Sequence, residues 1–309
     1  MNRGDVTRAV LLGLTLLAGA GAGARAQETG AQAPPPAAAA YDERLTLILD
    51  RVGESVARYH SELFRIAFTE TLRREELRED MTAKRSKEFV FDTIVEREAL
   101  SADEEDYYPK VVRRLRTVDG RPKKSVSRED AAAGVAVSSL AMLLPQHRER
   151  YVFSLDGEET FEGRRVHRLR AVWREQSPPR VVWKRRLVGM SFGVFAPAVY
   201  LVRVDAENYD VLSFESRLAE PFEFESPRTF GFGRLGPSRR LRYAARDYYA
   251  RFRRERFKDP EQTLLVPVRA EWVNVIEGAG KPRQRDTLAF SNYRRYHSDV
   301  KVIEEQDPE

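Results

Sequence analysis

Apolar side chains recur along the chain at two different spacings, which separate helices from strands. Between residues 45 and 63 they recur every three or four positions, with charged residues between them. That spacing predicts an amphipathic α-helix whose apolar side is buried. The apolar positions are Leu45, Ile48, Leu49, Val52, Val56, Tyr59 and Leu63.

From residue 88 onward the period shortens to two. In the segment EFVFDTIVE, Phe89, Phe91 and Val95 share one face and acidic residues occupy the other. This alternation predicts a strand that is buried on one side. The following strand runs into a turn that we predict at Asp119-Gly120.

Two more hairpins are predicted downstream. One spans residues 151–173, and the other spans residues 200–218, with a turn in which Asn208 is suited to the left-handed conformation. Segment 239–253 also fits a helical stripe, and we expect a strand in its later half. Strand-like runs in the last third cover about residues 248–257, 264–276 and 286–297.

A second helix is predicted between residues 128 and 144, where a body rich in Ala, Val and Leu stops at Pro145. An early amphipathic helix followed by many antiparallel hairpins is typical of an α+β protein. We therefore expect a curved antiparallel sheet that wraps around helices.

The N-terminal residues have the pattern of an export signal. A basic start at Arg3 and Arg8 precedes an uncharged run rich in Leu and Ala, which ends at an Ala-Arg-Ala site. We expect a signal peptide over residues 1–26, a Pro/Ala-rich linker over 27–40 and a single domain over 41–305. We expect no fixed structure before residue 41. The alternative is that the first segment stays attached as a membrane anchor.

The chain contains no cysteine, although export permits disulfides. This excludes thiolate metal sites, cysteine nucleophiles and anchoring through a lipid-modified cysteine. Sixteen Phe, twelve Tyr and three Trp supply the large apolar groups that a core requires. We thus expect a protein of the periplasm or cell envelope that is held together by packing alone.

The order of the elements resembles that of a known family. The phrases LLLPQHRERYVF, VYLVRVDAENYDVLSFES and FKDPEQTLLVPVRAEW occur in succession after the first helix and the paired strands. This succession is similar to bacterial exported proteins related to the periplasmic lipoprotein carriers and outer-membrane lipoprotein-sorting proteins. The resemblance implies an incomplete β-barrel, with the N-terminal helix and a second helix packed on or in its open side. It also implies that an acyl chain or a lipidated protein binds in the hollow.

Two motifs that imitate enzyme signatures lack the context that the enzymes need. Gly189, Ser191 and Gly193 have the G-x-S-x-G spacing of a serine hydrolase, but Pro197 and β-branched residues follow where a helix is required. Residues 231–236 spell G-x-G-x-x-G, but no β-α-β pattern surrounds them. We expect neither motif to be functional and the protein not to be an enzyme.

The sequence also gives little support for a metal site or for catalytic carboxylates. The four histidines are scattered without metal-ligand spacing, and the acidic run 103–106 lacks the glycine of a calcium loop. Asp205, Glu207 and Asp210 could be catalytic carboxylates, but hairpin tips are polar for reasons of turn geometry. We therefore predict no catalytic residue, no metal and no cofactor.

Residues 228–256 carry ten arginines against two acidic residues. In an exported protein the available polyanions are anionic membrane lipids and acidic envelope polymers rather than nucleic acid. Arg239, Arg240 and Arg242 are the candidate residues for such head groups. The alternative is that these arginines simply solvate an exposed face.

Residues 187–202 carry no charge at all. This run is either core or an apolar lip that contacts an acyl chain, with Met190, Phe192, Phe195 and Tyr200 as candidate ligand residues. Two functions follow from these patterns. The first is a non-enzymatic envelope protein that holds a hydrophobic or lipidated ligand in a half-barrel. The second is an envelope scaffold that binds an acidic partner or anionic surface through the arginines.

Overall fold

The structure is a computed structural model of the chain. It describes residues 36–64, 66–99, 107–125, 136–175, 177–185, 190–226, 238–258, 261–278 and 283–295. The predicted signal peptide and most of the predicted linker lie outside these residues, as do the motif at 231–236 and the acidic run 103–106.

The architecture is a long antiparallel sheet with few helices. The helices are α1 (Pro36–Leu63), a 3₁₀ helix (Ala136–Leu143) and α2 (Pro145–Arg148). The first strands are β1 (Ile66–Leu77), β2 (Ala83–Ala99), β3 (Tyr107–Val118), β4 (Arg121–Pro122), β5 (Tyr151–Phe161), β6 (Arg164–Trp173) and β7 (Arg180–Arg185). The remaining strands are β8 (Met190–Phe195), β9 (Ala198–Asp205), β10 (Val211–Leu218), β11 (Phe222–Glu225), β12 (Arg240–Lys258), β13 (Glu261–Glu277) and β14 (Arg283–Arg295).

The main sheet is open. Its strand order is β4-β3-β2-β1-β14-β13-β12-β10-β9-β6-β5, with β11 added beside β12. Within the described residues, the edge strands β4 and β5 do not pair with each other, so the barrel stays incomplete. The concave face, which we define as the face that contacts α1, carries one core cluster shared by both halves of the sheet. The α+β fold with an open barrel and an N-terminal helix is thereby confirmed.

The alternation in β2 shows why these residues form a sheet. Phe89, Phe91 and Val95 are buried, whereas Glu88 and Glu96 are exposed. Successive side chains point to opposite faces of a strand, so this pattern directs one face to the core. The predicted strand and its buried face are confirmed.

The tight turns follow their sequences. Asp119 and Gly120 have φ values of 49° and 74°, and this pair of left-handed residues joins β3 to β4. In the longer turn after β9 the left-handed residue is Tyr209, with φ 59°, so the prediction for Asn208 is wrong. Asn208 instead uses its side chain, because its Oδ1 accepts the Asp210 N–H at 3.0 Å.

Both helices differ from their predicted bounds. α1 begins at Pro36, so residues 36–40 of the predicted linker are helical, and proline is well tolerated in a first helical turn. The second helix is not a continuous α-helix in its described part, because a 3₁₀ helix precedes Leu144. Leu144 is extended, with ψ 142°, as a residue before proline prefers. Pro145 therefore begins a new short helix instead of ending a long one.

The ambiguous segment 239–253 is strand from Arg240 onward, since β12 pairs with β13 along almost its whole length. Backbone hydrogen bonds to β13 on one side and to β10 and β11 on the other favour the strand over the helix that the apolar spacing would also allow. In the described part of the chain, no helix combines the length and the apolar character that crossing a membrane requires.

Candidate functional site

The inner half of the concave face, which we define as the part that α1 covers, is filled by the helix. The predicted apolar stripe of α1 is confirmed as the buried side, and Val52 and Val56 have no exposed surface. Tyr59 meets Phe252 of β12 edge to face, with 5.9 Å between ring centroids. This region is packed core.

Polar contacts hold α1 in place at three points along its length. Near its middle, the Ser55 hydroxyl donates to Asp210 at 2.9 Å in a buried contact. Near its C-terminus, Glu62 accepts from Arg295 of β14 at 2.8 Å. At its N-terminal side, Arg44 pairs with Glu158 of β5. A helix held at three points, by β5, by β14 and by the turn after β9, is a fixed part of the barrel.

A second layer crosses α1 at Gly53. The Arg148 guanidinium of α2 donates to the Leu49 carbonyl and to Asp50, the latter at 2.7 Å, and its Nε donates to Leu143 O at 3.0 Å. A Cβ on residue 53 would overlap this guanidinium, which explains the glycine inside the helix. The second helical segment thus packs over the open side of the barrel, as predicted.

The inner half also contains buried polar groups. Glu70 of β1 has no exposed surface and pairs with Arg113 of β3, with Oε1 to Nη2 at 2.7 Å and Nε to Oε2 at 2.9 Å. The Thr93 hydroxyl donates to the same carboxylate at 3.3 Å. Burial raises the pKa of Glu70, and Arg113 opposes this shift. The pair satisfies itself with protein groups.

At the end of α1, burial lowers the pKa of His60 to about 4, and the nearby His147 acts in the same direction. Sequence spacing gave no indication that these two histidines lie close together. Burial also raises the pKa of the neighbouring Tyr59 hydroxyl. Both groups therefore stay uncharged at neutral pH.

Beside the inner half, the concave face carries a continuous line of aromatic rings. Tyr200 of β9, Tyr248 of β12 and Trp272 of β13 lie at one level of the sheet, since the strand registers join Tyr200 to Ser216, Ser216 to Tyr248 and Tyr248 to Trp272. We call this level the mouth. Further rings fill the gaps between these three. The aromatic row comprises Trp173, Tyr151, Tyr200, Phe214, Tyr248 and Trp272.

Each ring of the aromatic row contacts the next. The centroid distances in that order are 4.9, 5.7, 6.0, 5.8 and 4.9 Å. The β5 and β9 rings meet across β6 because the residue between them is Ala171, which lies opposite Tyr200. Offset and edge-to-face geometry at these distances is favourable for aromatic pairs.

The aromatic row differs from the core in its exposure. Of its members only Phe214 is buried, at 3 %, and the others keep part of their surface in solvent. Burial raises the pKa of the Tyr200 hydroxyl, and the positive charge of Arg246 acts in the opposite direction. The mouth is thus a partly exposed apolar surface with the guanidinium of Arg246 beside it. Such a surface suits an apolar ligand with few polar groups.

The predicted ligand residues lie on two consecutive strands, β8 and β9. Tyr200 is a member of the aromatic row. Phe195 of β8 is half-buried, and the Arg180 guanidinium lies 5.2 Å from its ring centroid. Met190 and Phe192 are in β8, where they pair with β7, but their side chains lie outside the described residues.

Strands β7 and β8 form a separate hairpin inserted between β6 and β9. Its described residues from Gly193 onward are half-buried, as is the following strand up to Leu201. Trp183 contacts Phe224 with 6.3 Å between ring centroids, and Val194 O accepts from Arg246 at 3.2 Å. The uncharged run is therefore neither fully core nor a free lip in its described part.

The predicted anion-binding arginines lie on or next to the start of β12. Arg240 pairs with Glu223 of β11, and Arg242 pairs with Glu277 of β13 at 3.1 Å. Arg239 is exposed, and its backbone N–H donates to the Ser226 hydroxyl at 3.1 Å. Charges that are unbalanced along the sequence are thus partly balanced across the sheet.

The G-x-S-x-G serine lies inside an antiparallel hairpin, where Ser191 pairs with Lys184 and β9 follows. A nucleophile elbow needs a strand, a sharp turn and a helix. The hairpin-tip carboxylates also have turn roles, since Asp205 Oδ1 accepts two backbone N–H groups, from Glu207 at 2.9 Å and Asn208 at 3.3 Å. Among the described residues, no cluster of histidines and carboxylates could hold a metal ion.

An open groove of about 410 Å³ lies between α1 and the turn after β9. Apart from Leu47, which is 52 % exposed, its α1 wall is charged, with Arg51, Glu54 and Arg58. This polar lining does not suit an acyl chain. The aromatic row is the better candidate.

Sequence reasoning missed most of the aromatic row. Tyr151, Tyr248 and Trp272 belong to strands that are far apart in the sequence, and only the strand order brings them together. Their alternation with polar neighbours was a signal for one buried face of each strand. It could not show which rings would meet.

A scan against models of protein families finds no match, and a search of curated proteins finds none. Three solved structures match the fold. One is a domain described as an outer membrane lipoprotein-sorting protein from Vibrio parahaemolyticus, at 12% identity and TM-score 0.36, covering 81% of this chain and 92% of that chain.

The second is a DUF1329 family protein from Desulfovibrio piger, at 13% identity and TM-score 0.35, covering 87% of this chain and 95% of that chain. The third is a LolA superfamily protein from Nitrosomonas europaea, at 11% identity and TM-score 0.33, covering 82% and 93%. The chain is thus similar to the group that its sequence resembles. At these TM-scores the likeness carries no conclusion about function.

Proposed function

We propose that the protein is an exported, non-enzymatic binding protein of the cell envelope that holds one acyl chain in the aromatic row. The chain can belong to a free lipid or to a lipidated protein. Support for export comes from the signal pattern of residues 1–26.

The observation that carries this proposal is the continuous line of contacting rings on the concave face, of which all but the buried Phe214 are partly exposed. The aromatic row reaches from β5 to β13, with β6, β9, β10 and β12 between them. At about 4.8 Å between strands, the row is about 24 Å long. An acyl chain in one leaflet of a bilayer spans about 15 Å, half of the ~30 Å hydrocarbon core. One chain therefore fits along the row.

Binding at this place leaves the core intact. The inner half is closed by α1, which contacts on several strands fix in place. A ligand there would have to displace a packed helix. The aromatic row offers apolar surface that is already partly open to solvent, so that covering it with a chain removes apolar surface from water.

The scaffold alternative receives less support. Of the three arginines that define it, Arg240 and Arg242 are paired with carboxylates of neighbouring strands. An exposed ion pair attracts an anionic surface less than two free cations do. Binding of an anionic surface through Arg239, Arg240 and Arg242 therefore stays a prediction without a specific observation in its favour.

The test is the affinity of a series of saturated fatty acids of increasing length, measured by titration calorimetry. We expect affinity to rise by up to fourfold per added methylene, because each buried CH₂ contributes about 0.8 kcal/mol. The rise should end when the chain fills the row.

Tyr200→Leu and Trp272→Leu should each weaken binding by about tenfold, since each removes a ring face that lies along the chain. Phe161→Leu is the matched control. Phe161 is also a half-buried strand ring, but it packs under Arg203, 5.1 Å from its centroid, outside the aromatic row. An affinity independent of chain length, or equal losses in all three variants, would reject the aromatic row as the site.

A further inference from the structure

Arg246 differs from the other six arginines of β12. Six of the described arginines on this strand pair with carboxylates. These pairs are Arg240 with Glu223, Arg242 with Glu277, Arg251 with Glu162, Arg253 with Glu255, Arg254 with Asp210 and Arg256 with Glu261. Among the described residues, Arg246 has no carboxylate partner, and its guanidinium donates to the backbone oxygen of Val194 at 3.2 Å.

Arg246 lies beside the aromatic row on the concave face, next to Tyr248. It lies two residues before Tyr248 on β12, so both side chains point to the same face, roughly 7 Å apart along the strand. Its register partner on β13 is Asn274, two residues after Trp272. Arg246 thus lies two residues along β12 from the level of Tyr200, Tyr248 and Trp272.

The charge of Arg246 reaches the hydroxyl groups around the mouth. Burial raises the pKa values of Tyr200 and Tyr243, and Arg246 acts against both shifts. The Tyr243 hydroxyl donates to Asn274 at 2.9 Å. The guanidinium is therefore close to the Tyr200 hydroxyl within the row and to the Tyr243–Asn274 pair.

The guanidinium is available to a ligand. Arg246 is exposed, and a guanidinium has five N–H donors, of which one meets Val194 O within the described residues. A carboxylate or phosphate can accept two of these donors side by side. A cation without an acid partner beside an apolar row is the arrangement that an anionic amphiphile complements.

We propose that Arg246 binds the anionic head group of the ligand whose acyl chain lies on the aromatic row, and so makes the site selective for anionic single-chain amphiphiles. This inference rests on the proposed function. The shared chemistry of the head group is a carboxylate or a phosphate monoester. Charge-assisted hydrogen bonds to such a group should favour it over a neutral head by about tenfold to a hundredfold.

The experiment compares three ligands with the same chain, namely decanoate, decyl phosphate and decanol, by titration calorimetry at pH 7.5. Inorganic phosphate alone is the chain-free control. The proteins are the wild type, Arg246→Gln, Arg246→Lys and the matched control Arg251→Gln, whose arginine lies on the same strand but pairs with Glu162. Thermal melts check that each variant folds.

We expect the wild type to bind decanoate and decyl phosphate tenfold or more tightly than decanol, and phosphate alone not at all. Arg246→Gln should bind decanoate and decyl phosphate no more tightly than decanol. Arg246→Lys should keep part of the preference for the anionic ligands, and Arg251→Gln should behave as the wild type. Since decanol needs no anion site, its affinity reports on the aromatic row alone.

Three results would contradict the inference. Equal wild-type affinity for decanol and decanoate would remove the anion site and leave the proposed function standing. An anion preference that survives in Arg246→Gln would place the head group elsewhere. Binding of phosphate alone with no binding of decanol would reject the acyl-chain function and leave a plain anion site.

Discussion

The inner half and the mouth of the concave face belong to one sheet but differ in how far their apolar side chains are exposed to solvent. In the inner half, Val52 and Val56 of α1 and Phe68 of β1 are completely buried, and the polar pair Glu70–Arg113 is enclosed with them. At the mouth, large aromatic rings keep part of their surface in water. One sheet therefore provides a closed core in one part and a partly open apolar surface in another.

The difference comes from what covers each part. α1 is long enough to close the inner half, and contacts such as Ser55–Asp210 fix it there. In the aromatic row the rings contact one another and keep part of their surface in solvent, apart from the buried Phe214. The partly exposed rings are therefore apolar surface that a ligand could cover.

The largest expected effect is on stability in the inner half. Phe68→Ala should lower the free energy of unfolding by about 3–5 kcal/mol, the usual range for removing a fully buried phenylalanine. Urea unfolding measures this change. Fatty-acid affinity of the folded protein should stay within about twofold, or about 0.4 kcal/mol. A stable variant with lost binding would reverse the roles of the two regions.

A pH-dependent loss of stability is expected from the end of α1. The pKa of His60 is lowered to about 4, so the folded state binds this proton less readily than the unfolded state, where the pKa is about 6.5. Stability is then fully present above pH 6.5 and is lost as the pH falls towards 4. The loss amounts to about 3 kcal/mol.

His60→Gln isolates this contribution, because all carboxylates titrate in both proteins. Urea unfolding at several pH values between 7 and 4 should show a flatter profile in the variant. If the two profiles run parallel, His60 takes up its proton in the folded state and the inner half is less closed there than its burial indicates.

A smaller effect is expected for the ring beside the mouth. Phe195→Ser should lower the free energy of unfolding by about 1 kcal/mol, since the ring is only half-buried and a fully buried one contributes roughly 1.5–3 kcal/mol. Thermal melts and fatty-acid titrations on the same sample check both properties. A loss of stability as large as that of Phe68→Ala would make this segment core and remove it from the mouth.

The smallest effect is expected on the arginine face. Replacing Arg239, Arg240 and Arg242 by Gln should lower binding to anionic vesicles by less than tenfold, because two of these charges are already paired. Three free arginines would each contribute about 1 kcal/mol. Vesicle sedimentation measures the change, and a hundredfold loss would restore the scaffold function.

Much of this fold could be predicted from local patterns. The stripe from Leu45 to Leu63 and the alternation around Phe91 each depend on a period that a few residues establish. Turns such as Asp119-Gly120 follow from residues that tolerate positive φ. The extended conformation of Leu144 also follows from the proline after it. The sequence pattern predicts that a helix ends at Pro145, whereas in the structure a short helix begins there.

The candidate site could be predicted only in part. Tyr200 could be found because it lies in an uncharged run, whereas the places of Trp272 and Tyr151 depend on which strands become neighbours. The charge balance of Arg240 and Arg242 likewise depends on acids from other strands. Contacts between distant strands are set by the order of the whole sheet, and no short stretch of sequence contains that information.

The central claim, that the aromatic row is where the chain binds, is open to a direct test with the tryptophans. The chain has three, and Trp173 and Trp272 belong to the row, while Trp183 lies on the β7–β8 hairpin. Trp183→Phe leaves only the two tryptophans of the row. A double variant with Trp173→Phe and Trp272→Phe leaves only Trp183 and keeps an aromatic ring at every position.

The measurement is the quenching of tryptophan fluorescence by a fatty acid brominated along its chain, since bromine quenches only on close contact. In Trp183→Phe we expect saturable quenching at one chain per protein, reversed by the unbrominated acid. Quenching should be much weaker in the double variant. If the emission of Trp173 and Trp272 is unchanged while the brominated acid binds, the chain lies elsewhere and the aromatic row is not the site.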